Sequence, residues 1–334
     1  MKKGSKMKKF SALVLILMSA FVQAAEPAAS DYKATFKVTM TQTSAHPYGV
    51  GATKFGELIK ERTNGRIQVK VFNDSQLAKG EREMLEGLQQ GTIDIYVGST
   101  GPVGNFSPSM LIVDIPFLFR DYNHVDKVLD GPIGKQLLAD VDKAGFKGLA
   151  FWENGFRHLT NNKVPGKTPE EAKGLKIRTM ENKAHMLAFK TAGINPTPMA
   201  YSEVYSALQV GVIDGQENPV AVFYASKLYE IQKYFALTGH VYSPALMLFS
   251  MKKWDKIPKA DQEIIAKTAQ EVAIFERKLN RDDEEKKLKE MEAKGLVVVR
   301  DVNKDAWQKS MQPAFDEFAK QFGKDKIDAI LQTK

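Results

Sequence analysis

Cysteine is absent from the 334-residue chain. That excludes a disulfide framework, a thiolate metal site and a lipid-anchored N-terminal cysteine. Histidine is scarce: the five residues, at 46, 124, 158, 185 and 240, are scattered, and no HExxH spacing suggests a metal site. Neither GxGxxG nor GxxxxGK[ST] occurs, so both common glycine cradles for phosphate are missing and no cofactor is expected. Ser99, in Gly98-Ser99-Thr100-Gly101, lacks the spacing of a nucleophile elbow. The apolar run from Phe10 to Val22 is too short to span a hydrocarbon layer of about 30 Å, and no later stretch is longer.

That run has another use. Five lysines (Lys2, Lys3, Lys6, Lys8 and Lys9) precede it, and Val22-Gln23-Ala24 follows with a small residue at the cleavage position, so residues 1–24 read as a secretory signal. Removing those five lysines takes the 48 basic residues to 43 against 40 acidic ones, and the net charge from +8 to +3. Little is left of a nucleic-acid footprint. The remaining chain, long enough for about two domains, has 43% apolar and 26% charged residues overall and reads as a globular protein of the periplasm.

Two stretches carry nearly the same seven letters: LQQGTID from Leu88 to Asp94, and LQVGVID from Leu208 to Asp214. Each follows a glutamate, Glu83 or Glu203, at the same interval. The first copy closes a series in which ATFKVTM alternates as a strand, Tyr48 to Arg62 repeats apolar residues at helical spacing, RIQVKVF is a strand, GEREMLEGLQQG a helix and TIDIYVG a strand. The second closes an equivalent series of GLKIRTM, NKAHMLAFKTAG, INPTPMA, SEVYSALQVG and VIDGQ. Ala45-His46 after the first opening strand is echoed by Ala184-His185 after the second. A doubled βαβαβ unit predicts an α/β fold of two lobes, each a mainly parallel sheet flanked by helices. Ligands on such sheets sit beyond the carboxyl ends of the strands, so two sheets facing each other would hold one between them. In the repeat itself, Leu and Ile supply core, Gly ends a helix and Asp starts a turn.

Phe146 to Gly155 and Val241 to Trp254 read as apolar strands that cross between the lobes as a hinge. Asp261 to Gly295 has no internal Gly or Pro; as one helix it would run about 50 Å, along both lobes, unless it breaks near Asn280. The lobes are expected at 31–155 with 244–283, and at 156–243 with 284–334.

Arg178 lies near the carboxyl end of a core-like strand, where an unpaired guanidinium is costly. Its partner is either an internal acid or an anionic ligand whose carboxylate fits the planar fork. Arg157 could reach the same space or be a surface residue. Asn218, before Pro219, could face the cleft or only form a turn. His46 and Ser99 follow strands of the first lobe and could equally be structural.

From Gly174 to Pro219 the sequence resembles the solute-binding proteins of tripartite ATP-independent periplasmic (TRAP) transporters, and FNDSQLAKGEREMLEGLQQGTIDI, DIPFLFRD and ENGFRHLTNN extend the resemblance over nearly the whole chain. The resemblance implies a bilobed receptor that captures an organic acid and passes it to an integral membrane permease; a monomer is expected. It implies Arg178 as the carboxylate grip, Arg157 as a second cleft arginine, Tyr201 as the aromatic residue on the ligand, Asn218 as the cleft asparagine, and Glu81, Ser99, His46 and Trp152 as further lining positions. Similar sialic-acid binders carry an acid where Ser99 stands and an asparagine where Glu181 stands, which argues against a sialate. A C4-dicarboxylate, a sugar acid and an aromatic acid stay open. The rival readings are an enzyme acting on a carboxylate in the same cleft and a sensor subunit that presents ligand to a membrane kinase.

Overall fold

The structure is a computed structural model that describes Met1 and residues 31–334; apart from Met1, the expected signal sequence lies outside the described residues. Strands β1 (Ala34–Thr39), β2 (Ile67–Phe72) and β3 (Ile95–Ser99) form the first unit, joined by helices Pro47–Arg62 and Glu81–Gln90. β4 (Phe146–Asn161) crosses to the second unit, where β5 (Lys176–Thr179), β6 (Asn195–Pro198) and β7 (Gly215–Asn218) are joined by helices Lys183–Thr191 and Tyr201–Gln209. β8 (Tyr234–Ser250) crosses back, and β9 (Val297–Val299) pairs with its start. Alternation explains β1: Phe36 and Val38 are buried against Ala52, Phe55 and Ile59 of the first crossover helix.

The two units do not make separate facing sheets. One nine-stranded sheet runs in the order β2-β1-β3-β8-β4-β7-β5-β6, with β9 off β8. The crossing strands cause this. β4 and β8 are longer than the expected segments, at 16 and 17 residues, and pair antiparallel with each other from Phe146↔Ser250 to Asn161↔Tyr234. β8 also pairs with β3 and β4 with β7, so each binds one unit to the shared ladder. Register shifts interrupt it beside Ala150, Gly155 and Leu159. Gly155, at φ 121°, has a backbone conformation that side chains rarely adopt, which suits a bulge.

The repeated heptad builds the same joint twice. Leu88 and Leu208, and Ile93 and Ile213, are buried. Gly91 at φ 81° and Gly211 at φ 73° end their helices in the left-handed region. The aspartates do more than start turns: Asp94 Oδ2 accepts the Lys37 N–H at 2.8 Å, and Asp214 Oδ2 accepts the Lys176 N–H at 2.8 Å. Each bond sits one residue before the parallel ladder begins, at Val38↔Ile95 and at Ile177↔Gly215. The carboxylate gives an acceptor to a backbone donor just before the ladder starts.

The long C-terminal segment is two helices, Lys259–Asp282 and Glu284–Glu292, broken at Asp283. Its first part grips β4 at Glu153: Glu276 Oε2 accepts the Glu153 N–H at 2.9 Å, Asn280 donates to the Glu153 carbonyl at 2.8 Å, and Arg281 donates to the Glu153 carboxylate at 2.8 and 2.6 Å. Tyr242 of β8 donates to the same carboxylate at 3.0 Å. Among the described residues no helix is long and apolar enough to cross a membrane. Asp94→Ala should destabilise the protein by about 1–3 kcal/mol, the usual cost of stranding a donor. Urea unfolding measures this, and an unchanged midpoint would remove the role assigned to the repeated aspartate.

Candidate ligand-binding site

A narrow pocket lies at the carboxyl ends of the strands, between the two units. Thr41 and Gln42 follow β1, Glu81 opens the helix after β2, and Ser99 ends β3. Opposite them, Arg178 lies in β5, Met180 follows it, Tyr201 opens the helix after β6, and Asn218 ends β7. Tyr48 and, from hinge strand β4, Asn154 complete the wall. Glu81 and Tyr201 occupy the same place in the two copies of the unit. The pocket encloses only about 20 Å³ of free space, about room for one water molecule. Its walls are tied together: Asn105 donates to the Glu181 carbonyl at 2.7 Å, and Asn182 donates to Asp114 Oδ2 at 2.9 Å and to the Gly101 carbonyl at 3.3 Å.

Arg178 is 2% exposed. Its Nε and Nη2 donate to the Met199 carbonyl at 3.1 and 2.8 Å, and its guanidinium lies 5.8 Å from the centre of the Tyr201 ring. Among the described residues no carboxylate comes within 4.0 Å of it. Burial lowers its pKa to about 10, against the attraction of Glu217. A desolvated cation whose hydrogen bonds among the described residues run to one carbonyl is poised for an anion.

Arg157 is buried as deeply but is already neutralised. Its Nε and Nη2 engage the two carboxylate oxygens of Glu217, the second at 2.7 Å, and Nη2 also reaches the Glu217 carbonyl at 2.5 Å. The pairing of β4 with β7 explains the contact, because it sets Leu159 opposite Glu217. Burial alone would raise the Glu217 carboxyl; Arg157 and His240 hold it well below the usual range. Arg157 does not line the pocket.

The structure thus brings Arg178, Tyr201, Asn218, Ser99 and Glu81 together in one wall, while Arg157, His46 and Trp152 stand behind it. His46 caps the first crossover helix, its Nδ1 accepting the Tyr48 N–H at 3.2 Å. Trp152 is fully buried against Tyr48 and Gly51; a Cβ on Gly51 would come within 2.8 Å of its ring. Within the wall, Tyr201 Oη and Ser226 Oγ are 2.5 Å apart, and Ser99 Oγ and Ser243 Oγ 2.8 Å. Tyr96 donates to Glu81 Oε1 at 3.0 Å. Burial raises the Glu81 carboxyl, opposed by that hydrogen bond and by Arg178. Thr41, Gln42, Met180 and Asn154 were not singled out by the sequence. Asn154 had one available signal, its place in the hinge segment.

A polar pocket at the carboxyl ends of the parallel strands of both units, lined by a buried arginine with no carboxylate within 4.0 Å among the described residues, suits a receptor for a small organic acid. The sequence profile of the family described as "Bacterial extracellular solute-binding protein, family 7" matches residues 38–321, and the chain belongs to that family. A TRAP periplasmic solute-binding protein from Polaromonas, bound to D-erythronate, is 46% identical with a TM-score of 0.89, over 90% of this chain and 99% of that one. The 2,3-diketo-L-gulonate-binding periplasmic protein of Escherichia coli is 40% identical over 78% of this chain and 80% of its own. A TRAP solute-binding protein from Sulfurospirillum deleyianum with bound succinate is 37% identical, with a TM-score of 0.86, over 91% of this chain and 100% of that one. These relatives are solute-binding receptors, not enzymes.

Glu217→Ala should cost roughly 3–5 kcal/mol, because it strands the buried Arg157 charge; a loss below about 1 kcal/mol in urea unfolding would contradict that pairing. The His46 imidazole, lowered by burial to a pKa of about 3 from 6.5, stays neutral when folded but takes a proton below 6.5 when unfolded. The unfolded state therefore binds the extra proton between those values, and His46 costs stability as pH falls. His46→Asn keeps a capping acceptor and should make the acid slope shallower by about 1.4 kcal/mol per pH unit in that window. Unfolding curves from about pH 7 to pH 4 measure the difference, and parallel slopes for the two proteins would contradict it.

Proposed function

We propose that this protein captures a small organic acid in the periplasm by a contact between Arg178 and the acid's carboxylate, and delivers it to an integral membrane permease. The observation that carries the reading is the buried guanidinium of Arg178 with no carboxylate within 4.0 Å among the described residues. The ligands named for relatives, D-erythronate, 2,3-diketo-L-gulonate and succinate, are all acids and support the same class here. Tyr201, Asn218, Ser99 and Glu81 would touch the ligand directly. Arg157, His46 and Trp152 would act from behind, by holding Glu217, the helix start beside Tyr48, and the packing beneath it.

Capture works as a clamp. The moving lobes are residues 31–155 with 244–283, and 156–243 with 284–334. A ligand that touches both favours the closed arrangement by its difference in affinity for the two states. The inter-lobe bonds of Asn105 and Asn182 then add to closure.

A thermal-shift screen of organic acids against the protein without residues 1–24 identifies the ligand, since an acid that binds only the folded form raises the melting temperature. Arg178→Ala should then weaken that acid by roughly two to three decades, the equivalent of about 3–5 kcal/mol. Calorimetry giving equal affinity for parent and variant would refute the assignment of Arg178. Co-purification of the closed, ligand-loaded protein with a permease, and not with a membrane kinase, tests the delivery step.

A further inference from the structure

We infer that the large cavity behind the crossing strands is a second binding site, for a neutral hydroxylated aromatic molecule, and that filling it holds the lobes closed on the pocket in front. The site is independent of the Arg178–carboxylate contact; its effect on closure rests on the clamp reading above.

The cavity measures about 740 Å³, whereas the pocket in front encloses about 20 Å³. Small-molecule sites usually span about 300–1,000 Å³. The two spaces lie on opposite faces of the β4–β8 ladder. Ser243 of β8 meets Ser99 of the pocket wall, Oγ to Oγ at 2.8 Å. The ring of the preceding residue, Tyr242, packs on Phe119 and Tyr122 of the cavity wall. Successive side chains of a strand point to opposite faces.

His158 supplies the first polar group of the cavity. It is 6% exposed, and its Nδ1 accepts the Gly239 N–H at 3.0 Å. Burial lowers its pKa to about 3, so the ring is neutral and carries its one proton on Nε2. That N–H has no hydrogen-bond partner among the described residues; Glu284 Oε1, also in the cavity wall, stands 4.0 Å away. Glu284 is the second group. Tyr122 donates to its Oε2 at 2.8 Å, and its Oε1 has no hydrogen bond among the described residues. A donor and an acceptor at this separation are bridged by one oxygen that both accepts and donates at about 2.8 Å, which is a hydroxyl group.

The hydroxyl comes with an aromatic body. Phe117, Tyr122 and Phe156 are half-buried and line the same space, where rings pack edge-on or offset against a guest ring. Phe117 is held at φ 55°, a strained conformation for a bulky residue and one that gathers at ligand clamps. The body is neutral. Arg281 is already paired with Asp126 and Glu153, while Arg120, Glu285 and Lys304 are exposed. Glu284 is the charge left facing inward, and it repels an anion.

Both lobes build the cavity: Phe119 and Tyr122 come from the first, His158 and Gln308 from the second. Tilting the lobes apart in front narrows the gap behind. A molecule seated there therefore opposes opening and shifts the population toward the closed arrangement.

The test is calorimetry at about pH 8, where a phenol is neutral and a carboxylate ionised. The probe is p-cresol, and its match is 4-methylanisole, which keeps the ring and loses the hydroxyl donor. The cresol should bind at one site, about tenfold or more tightly than the anisole. Glu284→Leu removes the acceptor and should abolish that preference. Gln308→Trp puts bulk into the cavity from its rim and should abolish saturable binding of the cresol; it decides alone if Glu284→Leu does not fold. Small-angle X-ray scattering of the parent should give a smaller radius of gyration with the cresol than without it. No saturable binding, equal affinity for the two compounds, a preference untouched by Glu284→Leu, binding untouched by Gln308→Trp or an unchanged radius overturns the inference. Arg178→Ala should bind the cresol as the parent does. Loss of the cresol in that variant would assign it to the front pocket and overturn the rear site, whereas the carboxylate reading is decided by the organic acids alone.

Discussion

A guanidinium withdrawn from water, with no carboxylate within 4.0 Å among the described residues, is the tension around which this protein is arranged. Burial of Arg178 depresses its pKa to about 10, yet among the described residues its hydrogen bonds run only to the Met199 carbonyl. Arg157 shows that the fold can neutralise a buried arginine when it needs to, because Glu217 faces it from the neighbouring strand. Arg178 has no such acid beside it, and an anionic guest would supply one. Everything else in the wall then serves position or selection.

The doubled unit explains how such a pocket is built economically. Both copies end their helix with a left-handed glycine and tie the strand pair with an aspartate carboxylate, so the carboxyl ends of the strands in the two units are held in equivalent positions. The frame is common and the chemistry is not. At the first residue of the second crossover helix, one copy places Glu81 and the other Tyr201. The first accepts hydrogen bonds, and the second stacks near Arg178. Two halves of one design therefore give a pocket with unlike ends.

Much of this was legible in the residues because it is local. The periodicity of Phe36 and Val38, the glycine after each repeated helix and the order of strands and helices all follow from short-range rules. Arg178 stood out as a charge in an apolar strand. What stayed hidden depends on distant pairing. Nothing near Arg157 announces Glu217, which lies 60 positions away and meets it only through the β4–β7 ladder. Asn154 reaches the pocket beside a register shift at Gly155, and alternation along a strand does not reveal a bulge. The single merged sheet stays hidden for a similar reason: the crossing strands read from the sequence stop at Gly155 and start at Val241, whereas pairing with each other carries β4 on to Asn161 and starts β8 at Tyr234. His46 and Trp152 are aromatic rings near the right place, and both pack against Tyr48 behind the pocket wall.

Glu153 is held from three sides by Glu276, Asn280 and Arg281, and its neighbour Asn154 faces the pocket. A change of twist in β4 is therefore not absorbed where it arises. The residues that hold Glu153 belong to the final turns of a helix that stops at Asp283, so hinge strand and outer helix are one mechanical piece.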